Sequence, residues 1–166
     1  MTDPLTTSTI AMRPFEQSLP MALLQAREAA MLLFRPLLAK HGLTEQQWRV
    51  LRALAATDMT QTVGELADRT FLLGPSLTRI LTHLDRRGLI KRAKSTADLR
   101  QTTVELTATG LDLVSRIAPT SESQYNQIER EFGAARLNRL LAELHALVEL
   151  LPANDEEPAK EVREQP

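Results

Sequence analysis

Two short amphipathic patterns joined by one tight connection restrict this chain more than any other feature. In QTVGELADRTFLLGPSLTRILTHLDRRGLI, Thr62 can cap a first helix with Glu65 three residues on, and Val63, Leu66 and Ala67 form its inner stripe. FLLG makes the turn. Pro75 suits the first turn of a second helix, where its missing N–H costs nothing, and Leu77, Ile80, Leu81 and Leu84 recur on one face until Gly88 ends it. Two short helices separated by about four residues form a helix-turn-helix.

The flanks extend this unit. Residues 21–40 are rich in Ala, Leu and Met and predict a helix apolar on more than one side, kinked over Leu32–Arg35 by Pro36 and stopped by Gly42. In LTEQQWRVLRALAAT, Thr44 with Gln47 predicts a capping box, and Leu43, Trp48, Leu51 and Leu54 recur at helical spacing. After Gly88, LIKRAK and QTTVELT predict a two-stranded hairpin with STADLR at its tip. Thr107 then caps a helix carrying Leu111, Val114 and Ile117, which Pro119 is expected to interrupt before Tyr125, Ile128 and Phe132 resume the stripe. The last pattern, ARLNRLLAELHALVELL, is apolar over a wide arc. The predicted class is mainly α with a small β-hairpin: a winged helix-turn-helix flanked by N- and C-terminal dimerisation helices.

The boundaries that follow are a flexible arm over 1–20, a domain over 21–152 and a disordered acidic tail over 153–166. Within the domain a DNA-binding lobe spans about 44–106, between dimerisation helices at about 21–40 and 107–152. Net charge is −1, but its distribution matters more: Arg86–Arg100 holds six basic residues against one acid, while Ala153–Pro166 holds five acids against two bases. The acidic end conceals a cationic patch. No apolar run approaches the ~18 residues of a membrane span, the first twenty residues lack a secretory pattern, and a cytoplasmic location without membrane partners is expected. With no Cys there is no disulfide or thiolate chemistry.

Enzyme signatures are missing. His41, His83 and His145 lie in different elements without metal-pairing spacing, no glycine-rich loop follows a strand, and no G-x-S-x-G occurs. Neither catalysis nor a cofactor is expected.

A helix-turn-helix presents its second helix to the major groove, and the following hairpin can lie against the minor groove or the phosphates. On the reading helix Ser76, Thr78, Arg79, Thr82 and His83 point away from the apolar stripe and suit base edges or phosphates. The alternative is a solvated helix face. Lys91, Arg92 and Lys94 suit phosphate contacts, and Arg100 at the tip suits a narrow minor groove. Asp98, two residues earlier, is expected to hold the Arg100 fork by a charge-assisted hydrogen bond; the alternative is a weak surface ion pair.

DLRQTTVELTATG, with LTEQQWRVLRAL and GPSLTRILTHLDRRGLI, resembles the MarR family of bacterial winged-helix regulators over roughly Met21–Leu151, its marks being Asp98, Arg100, Leu106, Thr107 and Gly110. LLQAREAAMLLFRPLLAKHGLTEQQWRVLRAL looks closer still to one subgroup, the repressors of homoprotocatechuate (hydroxyphenylacetate) degradation operons. The resemblance implies a homodimer with intertwined terminal helices that binds a pseudopalindromic double-stranded operator and is released by a phenolic or aromatic acid. The acid would sit between the dimer helices and the DNA-binding lobe. There Arg27, His41, Trp48 and Arg49 are the candidates: cations for a carboxylate beside an aromatic wall. Trp48 is alternatively a core residue, and Arg27 or Arg49 a salt-bridge partner of Glu28 or Glu45. The competing function is a winged-helix protein-interaction module without sequence-specific DNA binding.

Overall fold

Both predicted capping boxes form. In α2 (Glu45–Ala55) the Thr44 hydroxyl accepts from the Gln47 N–H at 3.2 Å while the Gln47 side chain accepts from the Thr44 N–H at 3.0 Å. In α3 (Val63–Thr70) Thr62 and Glu65 repeat the arrangement at 3.2 and 2.7 Å. Each box satisfies two of the N–H groups that a helix start leaves without partners. These details come from a computed structural model that describes residues 13–57, 59–95 and 98–151. Most of the arm and all of the acidic tail inferred above therefore lie outside the described residues.

A short 3-10 turn, Phe15–Gln17, precedes α1 (Leu19–Lys40), so helix begins inside the segment expected to be an arm. α1 runs through Pro36 as one helix. Gly42, at φ 62, lets the chain turn into α2. After α2 come a two-residue strand β1 (Gln61–Thr62), then α3, α4 (Gly74–Arg86), β2 (Ile90–Lys94), β3 (Thr102–Leu106), α5 (Ala108–Phe132) and α6 (Ala134–Leu150).

Two expectations change. The hairpin is part of a three-stranded antiparallel sheet in the order β1-β3-β2, with Gln61 opposite Val104 and Ile90 opposite Leu106. And Pro119 does not interrupt α5, which is continuous past it. Proline removes one ladder bond and crowds the preceding turn, costing about 3 kcal/mol, but Leu113 and Ile117 of the same helix are buried, and the Gln124 amide donates to the Leu33 carbonyl of α1 at 2.7 Å. Burial of two such side chains, about 1.5–3 kcal/mol each, outweighs that local cost. Gly133, at φ 93, makes the break that separates α5 from α6.

The chain divides into two compact units, one ending at Gln124 and the other beginning at Tyr125. The first holds a core of Leu38, Val50, Leu51, Leu66, Leu77, Leu81, Leu84, Ile90, Val104 and Ile117, all fully buried. Full burial contributes about 1.5–3 kcal/mol per such side chain, against about 0–1 kcal/mol for a surface ion pair. The leucine stripes therefore decide how α4 lies. In the second unit α6 buries no residue, and Leu140, Leu141, Val148, Leu150 and Leu151 are exposed.

Candidate nucleic-acid interface and ligand groove

The burial of Leu77, Leu81 and Leu84 rotates the opposite side of α4 outward, leaving Ser76, Thr78, Arg79 and His83 exposed and Thr82 at the margin. Not all are unengaged. The Thr82 hydroxyl donates to the Thr78 carbonyl at 2.9 Å, and His83 Nδ1 lies 3.0 Å from Gln47 Nε2, an amide donor, so the imidazole accepts there. Gln47 thus closes the α2 cap with one end of its amide and steadies the outer face of α4 with the other. Sequence spacing could not show that, because the partners are 36 residues apart.

The wing sorts its cations by what they touch. Lys91 pairs with Glu105 across the β2–β3 ladder, where the two stand opposite each other. Arg92, Lys94 and Arg100 are exposed and have no ion pair among the described residues. Arg87, counted in the basic patch, instead donates to the Gly42 and His41 carbonyls at 2.7 and 3.1 Å, binding the end of α1.

Asp98 does not grip the Arg100 guanidinium. Its Oδ1 accepts from the Arg100 backbone N–H at 2.9 Å, its Oδ2 from Gln101 Nε2 at 3.3 Å, and its carbonyl from the Gln101 N–H at 2.9 Å. An Asp hydrogen-bonding the backbone two residues on is an Asx turn, so the carboxylate shapes the loop and leaves the cation unpaired. Arg100 and Arg92 face a hollow of about 480 Å3 that Thr62, Val63, Gly64, Gln101 and Thr102 also line. Two guanidiniums beside the first turn of α3 make a region favourable to phosphate.

A second hollow, about 520 Å3, lies between α1 and α2 and is lined by Arg27, Arg35, Leu38, Leu43, Thr44, Glu45 and Gln46. Four charges join there. Arg27 donates to Glu28 Oε1 and Glu45 Oε2, both at 2.5 Å; Arg35 donates to Glu45 Oε1 at 2.5 Å and to Glu28. Burial pushes the Glu45 carboxyl up, but the hydrogen bonds and charges of Arg35 and Arg27 outweigh it and hold the group below its ordinary value. Hydrogen bonds first to Glu28 and then to Glu45 raise Arg35.

Of the four ligand candidates only Arg27 lines this hollow. His41, Trp48 and Arg49 lie on the 41–49 segment that supplies four of its lining residues. Trp48 is buried in the core, and Arg49 Nη1 donates to the Thr70 carbonyl at 3.0 Å, joining α2 to the end of α3. Arg35 was missed. It stands eight residues after Arg27, on roughly the same face of α1, and that spacing was the available signal.

A family model described as MarR family matches residues 41–101. The homoprotocatechuate degradative operon repressor of Escherichia coli is 44% identical over 133 residues, covering 80% of this chain and 89% of that protein. The HTH-type transcriptional regulator FarR of Neisseria gonorrhoeae is 39% identical over 137 residues, covering 81% and 93%. Among solved structures, NadR in complex with 4-hydroxyphenylacetate superposes with a TM-score of 0.74 at 36% identity, over 86% of this chain and 100% of that one.

Proposed function

The chain belongs to the MarR family of DNA-binding transcriptional regulators, which are not enzymes, and from that premise we propose that it is a cytoplasmic, homodimeric repressor of an aromatic-compound catabolic operon. A phenolic or aromatic carboxylic acid such as homoprotocatechuate or 4-hydroxyphenylacetate releases it from its operator. The identity with the homoprotocatechuate degradative operon repressor, sustained over four fifths of the chain, carries this reading. No helix among the described residues is long and apolar enough to cross a membrane.

The uncovered leucines of α6 support pairing of two copies, as do Leu19, Leu23 and Leu24 of α1. A two-fold dimer sets its reading helices about 34 Å apart, one DNA turn, and so requires a pseudopalindromic operator. Ser76, Thr78, Arg79, Thr82 and His83 read bases or backbone; Lys91, Arg92, Lys94 and Arg100 meet phosphates and the minor groove, with Asp98 shaping the loop. The acid enters the Arg27 hollow, where its carboxylate competes with Glu28 and Glu45 for the guanidinium. His41, Trp48 and Arg49, which do not line the hollow, are proposed to act on it through the 41–49 segment that supplies four of its lining residues. If the acid favours a different spacing of the two lobes, a coupling of about 1–3 kcal/mol weakens operator binding several-fold to about a hundredfold.

Gel shifts on the chain's own promoter, titrated with salt and then with aromatic acids, test the proposal. Specific duplex binding whose log affinity falls by about 0.9 per phosphate contact with log salt, and which an acid relieves, is the expected result. A flat salt response, or retention that no aromatic acid relieves, refutes it.

A further inference from the structure

The turn joining α3 to α4 departs from local residue preference at three of four positions. The left-handed backbone at Phe71 closes α3, where the Leu72 N–H reaches the Ala67 carbonyl at 3.4 Å, but nothing in the packing asks for Phe there, for Leu at position 73 or for Gly at position 74. Phe71 is the one non-glycine residue with positive φ among the described residues, at φ 51 and ψ 40. Glycine or asparagine occupies that left-handed region at little cost; a bulky side chain does not. Burial does not offset the strain, for the ring is 84% exposed. Leu73 occupies the N-cap of α4, where Ser, Thr, Asp or Asn would accept a backbone N–H, yet it makes no cap bond and is 79% exposed. Gly74 begins the helix, although a Cβ there would meet nothing within 4 Å and its φ is not positive. Each residue weakens the fold where a commoner one would strengthen it. Such local conflicts, left uncompensated, mark positions held for another purpose.

Phe71 caps the end of α3 two residues before Leu73, and Leu73 and Gly74 stand at the leading end of α4, followed in the chain by Ser76, Thr78 and Arg79. In the major groove those residues can supply hydrogen bonds, but thymine also displays a C5-methyl group that only apolar surface can match. We propose that Phe71 and Leu73 form an apolar lip that packs on thymine methyls of the bound duplex, while Gly74 lets the backbone approach closely. The turn thereby adds a thymine preference to the hydrogen-bonding face of α4. This rests on the reading of α4 as the groove-entering helix.

Replacing thymine by deoxyuracil removes the methyl and nothing else, which makes the contact measurable. Duplexes are first selected from a randomised library with the wild-type protein at low salt, and each thymine of the selected site is then replaced in turn. At one or two positions per half-site the wild type should lose about fourfold in affinity per methyl removed. Phe71→Asn and Leu73→Ser should bind the thymine and uracil duplexes equally at those positions, and Phe71→Tyr should keep the difference. Asn tolerates the left-handed backbone and Ser can cap α4, so both variants should melt no lower than wild type, which separates lost discrimination from lost folding. Equal uracil penalties in wild type and both variants overturn the proposal. So does a changed oligomeric state with the thymine response intact, which would make the lip a protein contact. Failure of the wild type to select any duplex overturns the proposed function as well, whereas successful selection without a methyl effect overturns the lip alone.

Discussion

Gly110→Ala sets two effects of opposite sign against each other. Alanine in a helix is favoured over glycine by roughly 0.5–1 kcal/mol, so propensity alone predicts a gain. Gly110, however, lies in the first turn of α5, where an added Cβ would fall 1.9 Å from the Leu89 carbonyl oxygen, 2.9 Å from its carbon and 3.2 Å from Leu106 Cδ2. An ordinary C···O approach is about 3.3–3.6 Å, so backbone must shift by roughly 1.5 Å. Leu89 cannot shift alone. Its carbonyl accepts the Thr107 N–H at 3.1 Å, and the Thr107 hydroxyl donates to the Gly88 carbonyl at 2.6 Å. Overpacking costs about 1–3 kcal/mol and each disturbed hydrogen bond about 0.5–1.5 kcal/mol, which leaves a net loss of roughly 2–4 kcal/mol after the propensity gain. For a chain of this size that corresponds to a melting temperature lower by about 5–15 °C. Thermal and urea unfolding at matched protein concentration provide the assay, since association would otherwise shift both midpoints. A variant as stable as wild type, or more so, would refute the close approach of α5 to the start of β2.

Three further outcomes are expected. Arg100→Ala should weaken duplex binding across sequences and lower the salt slope by about one, whereas Arg79→Ala should relax preference at particular base pairs; exchanged outcomes would show the two roles reversed. Arg27→Ala should leave duplex binding intact and blunt release by aromatic acids, and unaltered release would remove this cation from the ligand hollow. Glu45 is held below its ordinary pKa, so its stabilisation is complete above the ordinary carboxylate value and is lost as pH falls through the lowered folded one. Glu45→Gln should therefore flatten the acid limb of the stability profile, and an unchanged limb would show that the four-charge cluster adds no pH dependence.

What could be read beforehand follows the range of the interaction involved. The capping boxes at Thr44 and Thr62 and the stripe from Leu77 to Leu84 are encoded within one or two turns, and they stand where the spacing places them. The local cost of Pro119 is visible in the chain, while the burial of Leu113 and Ile117 that tolerates it is not. Strand β1 escaped notice because Gln61 and Thr62 read as the approach to a helix cap; only their pairing with Val104 and Thr103, some forty positions away, makes them a strand. At Asp98 opposite charges suggested an ion pair, but the backbone N–H two residues on was the nearer donor. The four-charge hollow was half legible: Arg27 and its acidic neighbours were in view, while the place of Arg35 depended on α1 and α2 coming together.

The sheet order β1-β3-β2 also sets which parts of the finger evolution can remodel. Every rung of both ladders lies at Thr102 or beyond on β3, and at Lys94 or before on β2. Lengthening the loop between Ser95 and Gln101 would alter the reach of the finger without disturbing a single rung. One residue inserted after Thr102 would instead turn Val104 out of the core and slip the pairing of Gln61 in the same stroke. If the finger meets DNA as proposed, operator diversification can exploit the length of its reach, while the bearing on which the finger is mounted stays fixed.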